Sequence, residues 1–263
     1  MKRIECVIFD WAGTVVDYGC FAPVAAFIES FNAIDVPVSA AETRAYMGLT
    51  KLEEIRALFN LEHVRCEFRE KFGRDYNEED VQGRYKDFQQ ILYNTLGQYA
   101  SPLPGVVETV GQLRKQGIKI GSTTGYTRKM MDIVIPAAEK QGYKADHCVT
   151  SDNLPGGRPN PYMIYQNMID LAVPSVDYVV KCGDTIADIR EGVNAKVKSV
   201  GIILGSNEMG LTLEETQALP AEALRQRMDE VRRRMLDAGA DAVLDSITDL
   251  PQYIDKLNES LNK

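Results

Sequence analysis

At 263 residues, 44% of them hydrophobic and 26% charged, the chain can bury a substantial core, either as one large α/β domain or as a core carrying a smaller insert. Its net charge of −8 repels polyanions, so nucleic acid is not an expected partner. No apolar run approaches the roughly 18 residues that cross a bilayer, so no membrane partner is expected either. The segment MKRIECVIFD passes straight into a strand, and Asp10 would interrupt any signal-peptide core, which makes a cytoplasmic location the expectation. Five cysteines, at 6, 20, 66, 148 and 182, show neither CxxC pairing nor zinc-ligand spacing and read as reduced thiols.

Val7, Ile8 and Phe9 are apolar without alternation, as in a strand covered on both faces of a parallel sheet. Asp10 then falls at the strand's carboxyl edge, where α/β proteins bind ligands, and a glycine-bearing turn follows. An aspartate before a turn is most often only a cap. Three later segments make Asp10 a candidate nucleophile.

After Asp17 the pattern is helical to about Gln98, far too long for an ordinary crossover. Val24, Phe27, Ile28 and Phe31 fall at helical spacing. Ser39 to Glu42 and Thr50 to Glu53 are capping-box sequences on either side of the break at Met47-Gly48-Leu49. The second box puts Lys51 in the first turn of a helix with Leu52, Ile55, Leu58 and Phe59 on its apolar side. Val81, Tyr85, Phe88 and Leu92 mark a further long helix. Residues 19–99 are expected to form a helical cap domain, and residues 1–18 and 100–263 the core.

From 101 onward strand and helix alternate as in a doubly wound parallel sheet. Helices are expected over 105–116, 127–140, 160–171, 186–195 and 212–238, with a terminal one. Strands are expected over 118–123, near 147–149, and over 178–182, 199–204 and 242–244.

Thr124 and Gly125 end one of these strands, and Arg158 lies in the loop before a helix at the same sheet edge. A hydroxyl, backbone N–H groups and a guanidinium there suit a phosphate group, although Thr124 alone is more often a turn hydroxyl and Arg158 alone more often a surface charge. Asp184 follows another apolar strand. Two acids at one edge suit Mg²⁺, which takes one or two carboxylates together with water and phosphate oxygens. Asp188, one helical turn further, either ligates through water or braces the loop.

In order and spacing, Asp10, Thr124, Arg158 and the segment from Asp184 to Asp188 resemble the four motifs of the haloacid dehalogenase superfamily. That resemblance implies a Rossmann-like doubly wound core with an aspartate nucleophile. Over nearly the whole chain, VIFDWAGTVVDYGCFAP, MGLTK, IGSTTGYTRKMMDIV, GRPNP and VGIILGSNEMGLT are similar to the phosphonoacetaldehyde hydrolase family within it. The similarity implies a Mg²⁺-dependent homodimer that cleaves the carbon–phosphorus bond of a small phosphonate.

Ala12 stands where superfamily phosphatases and mutases usually carry a second aspartate that protonates a departing alkoxide. A carbon leaving group has no such oxygen, and the resemblance leaves Ala12 to offer its backbone carbonyl to the metal. Lys51 supplies what a departing carbanion needs, an electron sink, by forming an iminium with the aldehyde. A first-turn position, where the helix dipole disfavours a cation, suits a lysine that must react as the neutral amine. Cys20, Met47, Gly48 and Tyr126 match positions that line the family's site, though each is equally compatible with plain packing.

Glu54 departs from the pattern, for the family commonly has a histidine three residues after the lysine, so either Glu54 takes over that proton relay or the substrate differs. Either Glu54 is buried with a raised pKa and relays protons, or it is a solvent-facing acid paired with Arg56 or Lys51. The rival functions are a phosphatase or phosphomutase acting on a small ester, which Ala12 opposes, and a non-catalytic phospholigand-binding protein.

Overall fold

The structure, a computed structural model, describes residues 2–262. Its central strand is β1 (Cys6–Phe9), four apolar residues with no exposed side chain. Val7 and Phe9 point into one hydrophobic cluster and Cys6 and Ile8 into another, so the strand is covered on both faces, as its unbroken apolar run predicts. Around it lie β2 (Lys119–Thr124), β3 (Val149–Thr150), β4 (Val179–Gly183), β5 (Lys198–Ile202) and β6 (Ala242–Leu244). They form one parallel sheet of order β3-β2-β1-β4-β5-β6.

Of the six α-helices between β1 and β2, the first five are α1 (Phe21–Asn32), α2 (Ala40–Arg44), α3 (Lys51–Phe59), α4 (Glu62–Phe72) and α5 (Glu78–Thr95). Aromatic rings of this stretch pack on one another, Phe27 stacked on Phe88 and Phe59 against Phe31, Phe68 and Tyr76, within the same hydrophobic cluster that holds Val7 and Phe9. Both predicted capping boxes are formed, Ser39 with Glu42 and Thr50 with Glu53. The start of α1 is held differently. Cys20 at its N-cap makes no side-chain bond, and the Asp17 carboxylate instead accepts from the N–H groups of Phe21 and Ala22, each at 3.0 Å.

The remaining helices flank the sheet: α6 (Val106–Lys115), α7 (Arg128–Glu139), α8 (Tyr162–Asp170), α9 (Ile186–Ala195), α10 (Leu213–Ala218), α11 (Ala221–Asp237) and α12 (Leu250–Leu261). Expected and observed ends differ by one or two residues at most of these elements. The stretch 212–238 is two helices, parted at Leu219 and Pro220 because proline suits a helix start and not a helix interior. Among the described residues no helix is long and apolar enough to cross a membrane.

Candidate active site

In a sheet of this order the crossover direction reverses between β1 and β4, which opens a crevice beyond their carboxyl ends. Asp10 follows β1 and Asp184 follows β4, and the two chains are tied there by the Asp10 N–H donating to the Cys182 carbonyl at 2.9 Å. Carboxylate oxygens of Asp10, Asp184 and Asp188 all lie within 4.8 Å of one another. Thr14 donates to one oxygen of Asp184 at 2.8 Å and the Asn207 N–H to the other at 2.7 Å. Burial, reinforced by the neighbouring Asp10 and Asp188 charges, pushes the Asp184 carboxyl well above the usual carboxylate range.

The other acids have cationic partners. Arg158 donates through Nη2 to Asp10 Oδ1 at 2.6 Å and through Nε to Glu191 Oε2 at 3.0 Å, and its Nη1 lies 3.1 Å from Asp188. Lys181 Nζ donates to Asp188 at 2.7 Å. Although burial alone would raise Asp188, Arg158 and Lys181 hold it below the carboxylate range. Asp188 also completes the capping box of Thr185 at the start of α9. Of the two sequence readings of Asp188, its contacts fit the brace.

Lys181 and Glu191 escaped the sequence reading. A lysine inside an otherwise apolar strand was the available signal, because a buried ammonium requires a buried acid. Asp188 is that acid, at 2.7 Å, with Glu191 Oε2 further off at 3.6 Å; Glu191 Oε2 also accepts from Thr123 at 3.1 Å. With Asp10, Asp184, Asp188 and Glu191 set against Arg158 and Lys181 alone, two negative charges go unmatched when all four acids are ionised. A divalent cation between Asp10 and Asp184 fits this donor set in charge and in hardness. Ala12 lines the cavity that Asp10 also lines, and among the described residues no N–H donates to its carbonyl.

Lys51 and Glu54 come from α3, in the helical stretch between β1 and β2. Lys51 is the first residue of α3, and its Nζ donates to both oxygens of Glu54, at 2.8 and 2.9 Å. Phe27 and Tyr126 rings flank the ammonium with centroids at 5.6 Å. Glu54 is 1% exposed, and burial pushes its carboxyl up to about 7 against the opposing pull of Lys51. The solvent-facing alternative fails on this burial; of its two proposed partners Lys51 is the one Glu54 meets, while Arg56 pairs with Glu78. Two glycines allow this approach of the helical stretch to the sheet edge. At Gly48, φ is +95°, and a Cβ would stand 2.5 Å from the Thr185 hydroxyl; at Gly125, a Cβ would stand 2.5 Å from the Leu49 carbonyl oxygen.

Asp10, Ala12, Cys20, Met47, Gly48, Lys51, Thr124, Gly125, Tyr126 and Arg158 line one cavity of about 20 Å³, room for roughly one water. Glu54, Asp184 and Asp188 stand behind its wall. Thr124 accepts from the Tyr126 N–H at 3.0 Å, while the Tyr126 hydroxyl has no partner among the described residues. Burial holds the Cys20 thiol far above its ordinary pKa, so it stays protonated.

Residues 7–202 match the haloacid dehalogenase-like hydrolase family. The chain is 54% identical over 262 residues to a phosphonoacetaldehyde hydrolase of Bacteroides fragilis, covering 100% of both proteins. It is 55% identical over 259 residues to one from Parabacteroides distasonis, covering 98% of each. The chain belongs to the phosphonoacetaldehyde hydrolase family. This family membership makes it a hydrolase with the haloacid dehalogenase fold. A crystal structure described as a phosphonoacetaldehyde hydrolase-like protein from Oleispira antarctica superposes with a TM-score of 0.96 at 35% identity, over 99% of this chain and 94% of that one. A β-phosphoglucomutase from Clostridium difficile shares only the fold, with a TM-score of 0.68 at 16% identity over 99% of this chain and 100% of that one.

Proposed function

We propose that the protein hydrolyses phosphonoacetaldehyde to acetaldehyde and phosphate. The observation that carries this reading is the meeting of Lys51 and Asp10, from separate parts of the chain, on the wall of one small cavity, with alanine at position 12. The neutral Lys51 amine adds to the aldehyde carbon and water leaves, giving an iminium. Asp10 then attacks phosphorus, and the electrons of the carbon–phosphorus bond pass into the iminium, giving an enamine and an aspartyl phosphate. Protonation of the enamine carbon and hydrolysis of the resulting iminium release acetaldehyde and restore Lys51, while water hydrolyses the acyl phosphate and restores Asp10.

Glu54 is placed to take the proton that Lys51 must lose and to return it as water departs, because its carboxyl titrates near neutrality. Arg158 and Thr124 are assigned to the phosphonate oxygens, and Glu191 and Lys181 hold Arg158 and Asp188 in place. Asp10, Asp184 and the Ala12 carbonyl would hold Mg²⁺, which when bound offsets the repulsion between the phosphonate and Asp10. Residues 19–99 act in this reading as a cap over a core of residues 1–18 and 100–263. A homodimer in the cytoplasm, as the resemblance implies, completes the proposal and is open to test by sedimentation and cell fractionation.

The decisive assay is phosphate release from phosphonoacetaldehyde beside a panel of small phosphate esters. A preference for esters overturns the reading. Ala12 argues for the phosphonate, since it leaves an alkoxide without a general acid at that position.

A further inference from the structure

We infer that Arg44 and Asn207 form a clasp that positions Asp184 for the divalent cation, so that closure of the insert and metal affinity are coupled; the inference rests on the hydrolase reading above. Arg44 is the last residue of α2. Its Nη1 donates to the Gly19 carbonyl at 2.5 Å and to Asn207 Oδ1 at 3.1 Å, and Asn207 Nδ2 donates back to the Arg44 carbonyl at 3.1 Å. The guanidinium carbon sits 4.7 Å from the centre of the Phe21 ring. The backbone N–H of the same Asn207 donates to Asp184 Oδ2 at 2.7 Å. One residue therefore holds the insert with its side chain and the metal-binding carboxylate with its main chain.

Both hydrogen bonds of the Asn207 side chain are to Arg44, while the turn that carries it is also held by Arg227 on the Met209 carbonyl at 2.7 Å and by Arg234 on Glu208 at 2.8 Å. That turn follows β5 and is closed by the Gly210 N–H on the Ser206 carbonyl and by the Met209 N–H on the Ser206 hydroxyl. Gly19 lies in the linker that carries the chain from core to insert, and its N–H donates to the Gly205 carbonyl at 2.7 Å, just ahead of that turn. Arg44 thus joins the insert, the linker and the Asp184 loop at one point. A cavity with room for about one water does not admit a substrate, so the insert must swing out in each cycle. When it does, Arg44 parts from Asn207, and Asp184 keeps Thr14 but loses the Arg44 support behind its second bond. By linkage, whatever tightens cation binding on closure must equally favour closure when the cation binds.

The test uses Mn²⁺ as the probe and reads free Mn²⁺ by electron spin resonance in the wild type and in Arg44→Ala, Asn207→Ala, the double variant and Asp184→Ala. Asn207→Ala removes the clasp but keeps the N–H that serves Asp184. Wild type should bind one Mn²⁺ and Asp184→Ala none. Each clasp variant should bind about fivefold more weakly, as expected for one lost hydrogen-bonded contact, and the double variant no more weakly than the worse single one. Exchange of the Gly19 amide should slow with Mn²⁺ in the wild type and lose that response in Arg44→Ala. Should Arg44→Ala not fold, Arg44→Gln takes its place. Unchanged Mn²⁺ affinity in both single variants, or losses that add in the double, overturns the clasp. Wild-type binding that is absent, or that survives Asp184→Ala, instead overturns the metal assignment of the hydrolase reading, which keeps the two failures distinct.

Discussion

Glu54→Gln separates a proton relay from a merely structural acid. The Glu54 carboxyl moves from an ordinary 4.5 to about 7 because it is buried. At neutral pH it is therefore about half protonated, where a surface glutamate would be so about once in 300. The substitution removes that reservoir and leaves the Lys51 ammonium without its carboxylate, a loss that in buried pairs runs to about 3–5 kcal/mol. We expect iminium formation, followed by rapid mixing with phosphonoacetaldehyde and borohydride quenching, to slow at least about tenfold, the lower part of the range for a lost general acid–base group. The pH–rate limb near 7 should vanish, and Glu54→His should restore much of the rate. Stability carries a second signature. The folded carboxyl holds its proton more tightly than the unfolded one, so this group's contribution is greatest below pH 4.5 and is lost as pH rises through about 7, by at most about 3 kcal/mol. Glu54→Gln should flatten that slope in urea melts. Wild-type kinetics and an unchanged pH profile in Glu54→Gln would refute the relay.

Borohydride added with phosphonoacetaldehyde should inactivate the enzyme and leave a reduced adduct on Lys51, seen by peptide mass mapping; full inactivation with Lys51 unmodified would sink the iminium. Asp10→Asn should abolish phosphate release yet still form that adduct, because the two steps use different side chains, and loss of both in a folded variant would contradict the division. Asp184→Ala should abolish Mg²⁺ activation in metal titrations, and activation that survives would remove it from the metal site. Gly48→Ala should destabilise the protein by about 1–3 kcal/mol through its left-handed backbone and, by pressing on Thr185, slow Lys51 trapping further; wild-type melting and trapping would contradict the close approach described at this glycine.

Features set by local chemistry were legible in the chain. The apolar runs that end at Asp10 and Asp184 located both acids, and the capping boxes at Ser39 and Thr50 placed Lys51 on its first turn. Whether Glu54 faces water or Lys51 depends on how α3 packs against Phe27 and Tyr126, which helical spacing does not reveal. Lys181 and Glu191 were hidden for a related reason, since Lys181 makes sense only beside Asp188 and Glu191 only beside Arg158, and these partners lie on different elements. Asp17 was hidden because the helix it caps begins four residues later, beyond the spacing of an ordinary capping box.

The placement of β1 has a consequence for how the chain reaches this structure. Cys6 pairs with Lys119 on one side and Val179 on the other, so the strand translated first waits for both neighbours until most of the polypeptide has been made. Closing a loop of about a hundred residues costs about 2 kcal/mol more than closing one of about ten, and nothing local repays it. Contact order is therefore high, and assembly of the sheet should lag behind the helices of the insert, whose contacts are nearer in sequence. Until then the segment CVIF is an unpaired apolar strand, open to association with other chains. Dilution or a chaperone should raise the yield of refolding more for this protein than for a helical bundle of equal length, and the nucleophile at the end of β1 should be among the last groups to find its partners.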